Sequence, residues 1–231
     1  MRTKSRNKIN RFSILLAIAL LLPEGRLAAQ NISFGIFADP VISWFSTNTS
    51  KTQNSGARAG FDFGFTFNKY FSTNYAFSTG INILNAGGRL ISSDTTYMKL
   101  NNLSAKVLPG NPVVYKIQYL SVPIGLKFKS NQIGYITFFS DIGIDPKVVI
   151  GGKADIPSLN IKGEAAMNEL KTFNLSYHII AGIEYSIGGS TAVVFGLGYD
   201  SNFLDITKEI NNQTEDKVTQ NIIRLRIGIN F

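Results

Sequence analysis

From Arg58 to Phe67 the side chains alternate without a break. Ala59, Phe61, Phe63, Phe65 and Phe67 take one face, and Arg58, Gly60, Asp62, Gly64 and Thr66 take the other. Period two is the geometry of an extended strand with two unlike faces, because successive Cβ atoms point to opposite sides. The pattern returns where Phe173, Leu175, Tyr177, Ile179, Ala181, Ile183 and Tyr185 are set against Asn174, Ser176, His178, Gly182 and Glu184. It also closes the chain, where Ile223, Leu225, Ile227, Ile229 and Phe231 oppose Arg224, Arg226, Gly228 and Asn230. Weaker versions occupy residues 32–45, 75–84, 115–128, 135–145 and 191–203, and Asp39–Pro40 interrupts the first. No long helical period follows residue 30, so the expectation is an all-β fold of eight strands.

The joining segments alternate in length. Residues 68–74, 129–134 and 188–190 are short, whereas 46–56, 85–114, 146–170 and 204–219 are longer and polar. Eight up-and-down strands with both termini on one side need three short turns and four longer loops, and the chain supplies them in that order. The aromatic residues fall into two groups. Phe67, Phe77, Phe128, Tyr135, Tyr185 and Phe231 lie beside short turns or at the end of the chain, and Trp44, Tyr115, Tyr119, Phe173, Tyr177, Tyr199 and Phe203 lie near long loops. Two belts of rings at the ends of apolar strands are what two membrane interfaces select. The competing fold is a secreted soluble barrel or sandwich with its apolar face turned inward. Against it, the polar face is rich in Gly and short of Lys and Glu, which suits a cramped lumen better than a solvated exterior. The expected fold is therefore an eight-stranded antiparallel up-and-down transmembrane β-barrel.

The first 29 residues have a different character. Arg2, Lys4, Arg6, Lys8 and Arg11 form a basic head, residues 12–22 are uncharged and mostly apolar, and Pro23 and Gly25 break that run. Leu27-Ala28-Ala29 places small residues where a signal peptidase cuts, so residues 1–29 read as a cleaved signal peptide and 30–231 as one barrel domain beginning at Gln30. The apolar run is well short of the roughly 20 residues a membrane helix needs. Six of the 23 Lys and Arg lie in this segment with one of the 15 acids, which leaves 17 basic and 14 acidic side chains. The formal charge of +8 thus falls to +3, which removes the case for a nucleic-acid partner. The chain has no cysteine, which excludes disulfides, thiolate zinc sites, thiol nucleophiles and a lipidated N-terminal Cys.

Three stretches resemble a known family. They are Tyr119-Leu120-Ser121-Val122-Pro123-Ile124-Gly125-Leu126-Lys127, the run Ala181-Gly182-Ile183-Glu184-Tyr185-Ser186-Ile187-Gly188-Gly189-Ser190, and the Arg-x-Gly-x-x-Phe ending from Arg226. With a signal peptide finishing at Ala29-Gln30, the chain resembles the outer-membrane β-barrel family of the Bacteroidota, the PorT-like group. That resemblance implies an eight-stranded barrel in outer-membrane lipid, inserted by the barrel assembly machinery, which reads a C-terminal strand ending in an aromatic residue, here Phe231. Some relatives assist the type IX secretion system, which makes other outer-membrane proteins candidate partners.

The inward charges are the candidate site. Arg58, Asp62, Asp141, Glu184, Arg224 and Arg226 are expected to form a lumen network with His178. Asp62, Asp141, Glu184, Arg224 and Arg226 lie at similar heights above the short turns, with Asp62 and Glu184 paired to the two arginines. Trp44, Phe67, Phe128, Tyr135, Tyr185 and Tyr199 are the expected interface rings. A hydrolase reading of Ser176, His178 and Glu184 fails on spacing, because six residues of strand put Glu184 roughly 20 Å from His178. Asp200, Asp205, Glu209, Glu215 and Asp216 read as a solvated acidic loop rather than a calcium site, since their spacing fits no EF-hand. Gly87-Gly88 and Gly151-Gly152 lack the Lys-Ser/Thr of a phosphate loop. No catalytic residue, metal or cofactor is expected, and the function expected is that of a non-enzymatic barrel acting through its outer loops. N-terminal sequencing of the protein recovered from the outer-membrane fraction should begin at Gln30. An intact Met1, or recovery in the soluble periplasm, contradicts this.

Overall fold

The computed structural model describes residues 32–208 and 217–231, and the alternating segments form antiparallel strands. In chain order they are β1 (Ile32–Thr47), β2 (Thr52–Gly56), β3 (Arg58–Ser72), β4 (Tyr75–Ser92), β5 (Thr96–Lys99), β6 (Ser104–Val107) and β7 (Pro112–Ser121). They continue as β8 (Ile124–Lys129), β9 (Ile136–Ile156), β10 (Ile161–Ala165), β11 (Phe173–Gly188), β12 (Thr191–Asn202) and β13 (Val218–Asn230). β1 pairs with β3 on one side and with β13 on the other. The ladders β3–β4, β4–β7/β8, β7/β8–β9, β9–β11, β11–β12 and β12–β13 complete a ring. The result is an all-antiparallel, up-and-down, barrel-like sheet in which the ring itself has no free edge. That is the condition a spanning backbone must meet in hydrocarbon.

The ring passes through eight strand positions, because β7 and β8 occupy one in succession. Residues 115–128, expected as one strand, are broken at Val122-Pro123. Proline has no N–H to give the ladder, and the Val122 N–H donates instead to the Pro146 carbonyl at 3.1 Å. Asp39–Pro40, expected to interrupt the first strand, does so on one side only. β1 stays in register with β3 through Asp39↔Asp62 and Pro40↔Phe61. The ladder to β13 lapses between Phe37↔Gly228 and Val41↔Arg224. The β11–β12 turn uses Gly189 at φ 60°, a left-handed conformation that suits glycine.

The exposure of the strands alternates as the sequence alternates. On β3, Asp62 is fully buried and Phe63 is 45% exposed; on β11, Glu184 is buried and Tyr185 exposed. Phe34, Ile36, Phe65, Ile81, Leu126, Ile142, Ile179, Leu197, Leu225 and Ile227 continue an apolar band around the ring.

β4 and β9 run well past their expected ends at residues 84 and 145, and there the two faces exchange character. Leu84, Ala86, Leu90, Tyr115, Ile117, Val149, Ala154 and Ile156 are buried on the inner side, while Asn85, Arg89, Lys116, Gln118, Lys153 and Asp155 take the outer side. The physical reason is the change of surroundings. Beside lipid the outer face must be apolar, and above it that face meets water while the inner face gains a core. β2 continues the position of β3, and β10 that of β11, so β2, β4, β7, β9 and β10 rise together as a five-stranded extension. The expected loops 46–56, 85–114 and 146–170 thus contain regular structure. Phe63→Arg should cost about 2–4 kcal/mol in reversible unfolding from lipid vesicles, because a mid-span charge facing lipid has no partner. A silent substitution contradicts the outward placement of that face.

Candidate functional site

The inner side of the ring holds charge. Arg224, on β13, reaches across β1 to Asp62 on β3 (Nη1–Oδ2 2.8 Å) and binds Asp200 on β12 through Nη2. Its Nη1 also lies 3.8 Å from Asp39 on β1. Arg226 donates from Nε to Asp39 Oδ2 at 2.8 Å and lies over the Phe37 ring at 4.0 Å. Asp39 Oδ1 accepts the Ile227 N–H at 3.0 Å, replacing a ladder bond lost beside Pro40. Asp62 also accepts from Asn82 at 2.7 Å. A cavity of about 30 Å³ beside this cluster is lined by Ser78, Asn82, Asp145, Lys147, Asp200 and Arg224 among others, room for one or two water molecules.

Two further clusters lie in the lumen. His178 on β11 is held between two carboxylates of β9, Nδ1 at 2.8 Å from Asp145 and Nε2 at 3.4 Å from Asp141. Ser78 and Ser176 donate to the far oxygens of Asp141 (2.8 Å) and Asp145 (3.4 Å). Gly143, between the two aspartates and opposite His178, has a steric reason to be glycine. A Cβ there would stand 2.8 Å from His178 Cε1 and 2.4 Å from the Ile124 carbonyl oxygen. Nearer the short turns, Glu184 receives Lys127 (2.7 Å), Lys129 (2.6 Å) and Asn230 (2.8 Å). Buried Lys147 lies 5.1 Å from the centre of the Tyr119 ring. Among the described residues, Asp39, Asp62, Asp141, Asp145, Glu184 and Asp200 thus face five cationic side chains and His178.

An apolar core fills the interior of the extension at the long-loop end. Phe45, Leu84, Leu90, Tyr115, Ile117 and Ile222 from the ring meet Met98, Leu100, Ala105 and Val107 of the β5–β6 hairpin. Ala166, Leu170, Ile206 and Val218 complete that core. The hairpin shares no ladder with the ring. It is tied by the Lys99 N–H to Glu169 Oε1 at 2.6 Å and the Asn101 N–H to the Ala165 carbonyl at 2.9 Å. Burial holds the Glu169 carboxyl above its usual range, against the opposing pull of the Lys99 N–H and the Lys208 charge.

Several expectations need correction. Glu184 pairs with Lys127 and Lys129, not with the arginines. One strand separates β11 from β8 and one from β13, but Arg224 and Arg226 are held by Asp39, Asp62 and Asp200, and β13 reaches Glu184 only through Asn230. Arg58 joins no lumen pair and donates to the Ala86 carbonyl at 3.2 Å where β3 leaves β4. Asp200 is no loop residue: it is buried on β12 and bound to Arg224. Tyr115 and Tyr119 are inward and buried, Tyr119 donating to Gln220 Oε1 at 3.0 Å, so neither sits in a belt. The charges stand in three clusters rather than one layer. Asp39, Asp145, Lys127, Lys129 and Lys147 were not anticipated, although each follows the inward parity of its strand.

The remaining site residues lie as follows. Tyr135 and Tyr185 meet at 5.9 Å, Tyr75 and Phe128 at 5.7 Å, and Phe34 and Phe67 at 5.2 Å toward the short turns. Tyr199 meets Tyr177 at 6.2 Å near the long loops, and Trp44 is half-buried there. Phe231 exchanges backbone hydrogen bonds with Phe34 at the ring's seam. Ala29, Gln30, Glu209, Glu215 and Asp216 lie outside the described residues. Ser176 and His178 both bond Asp145 rather than each other, so among the described residues no hydroxyl rests on a histidine nitrogen as acyl-transfer chemistry requires. No group of three His, Cys, Asp or Glu side chains converges as a metal site among the described residues.

A closed ring of antiparallel strands, apolar outside and charged within, defines a barrel-like protein of the outer-membrane type. Residues 28–208 match the model of the outer membrane protein beta-barrel domain, and the chain belongs to that family and to the outer membrane. No curated protein matches by sequence. Among solved structures, neisserial surface protein A is similar at 10% identity and a TM-score of 0.46, over 85% of this chain and 95% of that one. OprG of Pseudomonas aeruginosa follows at 12% identity and 0.43, over 86% and 95%. The outer membrane protease OmpT of Escherichia coli is similar at 9% identity and 0.42, over 88% and 97%.

Glu184→Gln should destabilise the protein by about 3–5 kcal/mol in vesicle unfolding, since it leaves two lumen lysines unmatched. The loss should shrink when Lys127 and Lys129 are both replaced by Met. Equal losses in the two backgrounds contradict the pairing.

Proposed function

We propose that this chain is an eight-stranded transmembrane barrel with a closed lumen. It is exported with a cleaved signal peptide and acts without catalysis, through its outer extension, as a binding or structural protein. The observation that carries the reading is the apolar core of the extension: the same strands that end the membrane band rise beyond it and close over their own mouth. A lumen filled by ion clusters and capped by Met98, Leu100, Leu170 and Ile206 offers a solute no continuous aqueous path. What the protein presents outward is a braced platform.

A second reading is favoured by a separate observation. The extension ends in two strands, β2 and β10, at the two ends of the sheet order. Strands at the ends of a sheet are where a neighbouring chain can add its own strand. This supports an accessory subunit of an outer-membrane complex, in keeping with the resemblance to PorT-like proteins, with the barrel assembly machinery acting through Phe231 during insertion. Planar-bilayer recording of the pure folded protein should show no large, steady pore. A sustained porin-like conductance contradicts the closed lumen, and partners that co-purify after gentle solubilisation would select the accessory reading.

A further inference from the structure

Where the strand faces exchange character, the outer side of the extension carries cations just above the apolar band. Gly87 on β4, Lys116 on β7 and Lys153 on β9 stand opposite one another in the ladders, which sets two ammonium groups side by side on one face. Like charges directly across a ladder repel each other. Arg89 lies two residues along β4 from Gly87, on the same face and exposed. Arg58 covers Gly87, with its Cδ 3.4 Å from where a Cβ on that glycine would stand. The carboxylate among them is Asp155, whose Oδ2 is 2.5 Å from Lys116 Nζ and whose Oδ1 accepts the Gly163 N–H at 2.7 Å. Its partial burial would raise that carboxyl, but Lys116, the Gly163 N–H and the Arg58 charge together hold it below its usual range. Four cations thus share this region with one carboxylate, and Arg89 and Lys153 form no ion pair among the described residues.

Height identifies what meets this patch. Lys116 is four residues along β7 from Leu120, roughly 13 Å of strand. At a tilt of about 45° that is roughly 9 Å along the membrane normal, at the outer side of a headgroup layer about 5–8 Å thick, which the flexible lysine and arginine side chains reach back into. Ile150, exposed on β9, marks the top of the apolar band immediately below Lys153. The other half of the ring differs. Where β11, β12, β13 and β1 leave the band, their outward strand positions carry Tyr177, Tyr199, Ser201, Asn221 and Trp44, with no charge.

We propose that the outward patch of Arg58, Arg89, Lys116 and Lys153 binds the phosphate groups of a phosphorylated outer-leaflet glycolipid, fixing one side of the barrel to that lipid. The proposal rests on the transmembrane reading. The test uses the protein in phosphatidylcholine vesicles doped with bisphosphorylated lipid A, or with the same lipid after enzymatic dephosphorylation. Binding is read by native mass spectrometry after solubilisation, and insertion is read separately by heat-modifiable electrophoretic migration. The wild type should retain the phosphorylated lipid preferentially, and each of Arg89→Gln, Lys116→Gln and Lys153→Gln should weaken retention about fivefold. The triple variant should insert normally and retain the two lipids equally. Inorganic phosphate at the same concentration should leave retention unchanged, and displacement of the lipid by it would make this a simple anion site and overturn the proposal. An inserted wild type that retains both lipids equally overturns the lipid site alone. A wild type that fails to insert overturns the transmembrane reading and the lipid site with it.

Discussion

Arg224 draws carboxylates from three other strands to one point in the lumen. Asp62 comes from β3, Asp200 from β12 and Asp39 from β1, while the arginine stands on β13. The ring closes where the first strand meets the last, and that seam is crossed by Arg224 and by the Arg226–Asp39 bond. A buried ion pair adds little net stability over an apolar replacement, but removing one partner leaves an unmatched charge at a cost of about 3–5 kcal/mol. The cluster therefore acts chiefly on pairing choice. A one-residue slip of β13 would turn Arg224 and Arg226 toward lipid and strand three aspartates. With these charges held inside, the outer face of the band is left mainly to apolar side chains.

That division holds only over the membrane band, and its end explains the upper part of the molecule. On β4, β7 and β9 the apolar residues cross from the outer to the inner face near Ile83, Leu120 and Ile150. Below that level the interior is polar and ionic, and above it the interior is an apolar core against which the β5–β6 hairpin packs. One continuous strand thus serves two solvents in succession. The apolar core, the platform and the cationic patch all follow from strands that outrun the bilayer.

Much of the ring was legible in the sequence because lipid on one side and a packed lumen on the other enforce strict alternation, as on β3, β11 and β13. The inward positions of Asp62, Asp141, His178, Glu184, Arg224 and Arg226 follow from parity alone. Which charge meets which does not, because pairing depends on which strands are neighbours across the lumen and on the stagger of the ring. Glu184 finds Lys127 and Lys129 on β8, which the sequence reads as the end of a single strand over 115–128. Asp39–Pro40 reads in the sequence only as a break in the first strand, yet at that break the Asp39 carboxylate takes over an N–H of the neighbouring strand. The extension was hidden for a different reason. Its apolar residues keep period two with the opposite phase, so residues 85–92 and 146–156 look like the ends of strands when only the lipid-facing phase is followed.

Charges face in and apolar side chains face out at the seam, and β13 is where that division is most directly measured. Single spin labels placed in turn at positions 223 to 229 of the protein in lipid vesicles report relaxation by oxygen, which concentrates in hydrocarbon. Labels at 223, 225, 227 and 229 should be strongly relaxed and those at 224, 226 and 228 protected, with a period of two. Uniform relaxation along the strand, or the same period with its phase reversed, would contradict the placement of Arg224 and Arg226 in the lumen and the structure built upon it.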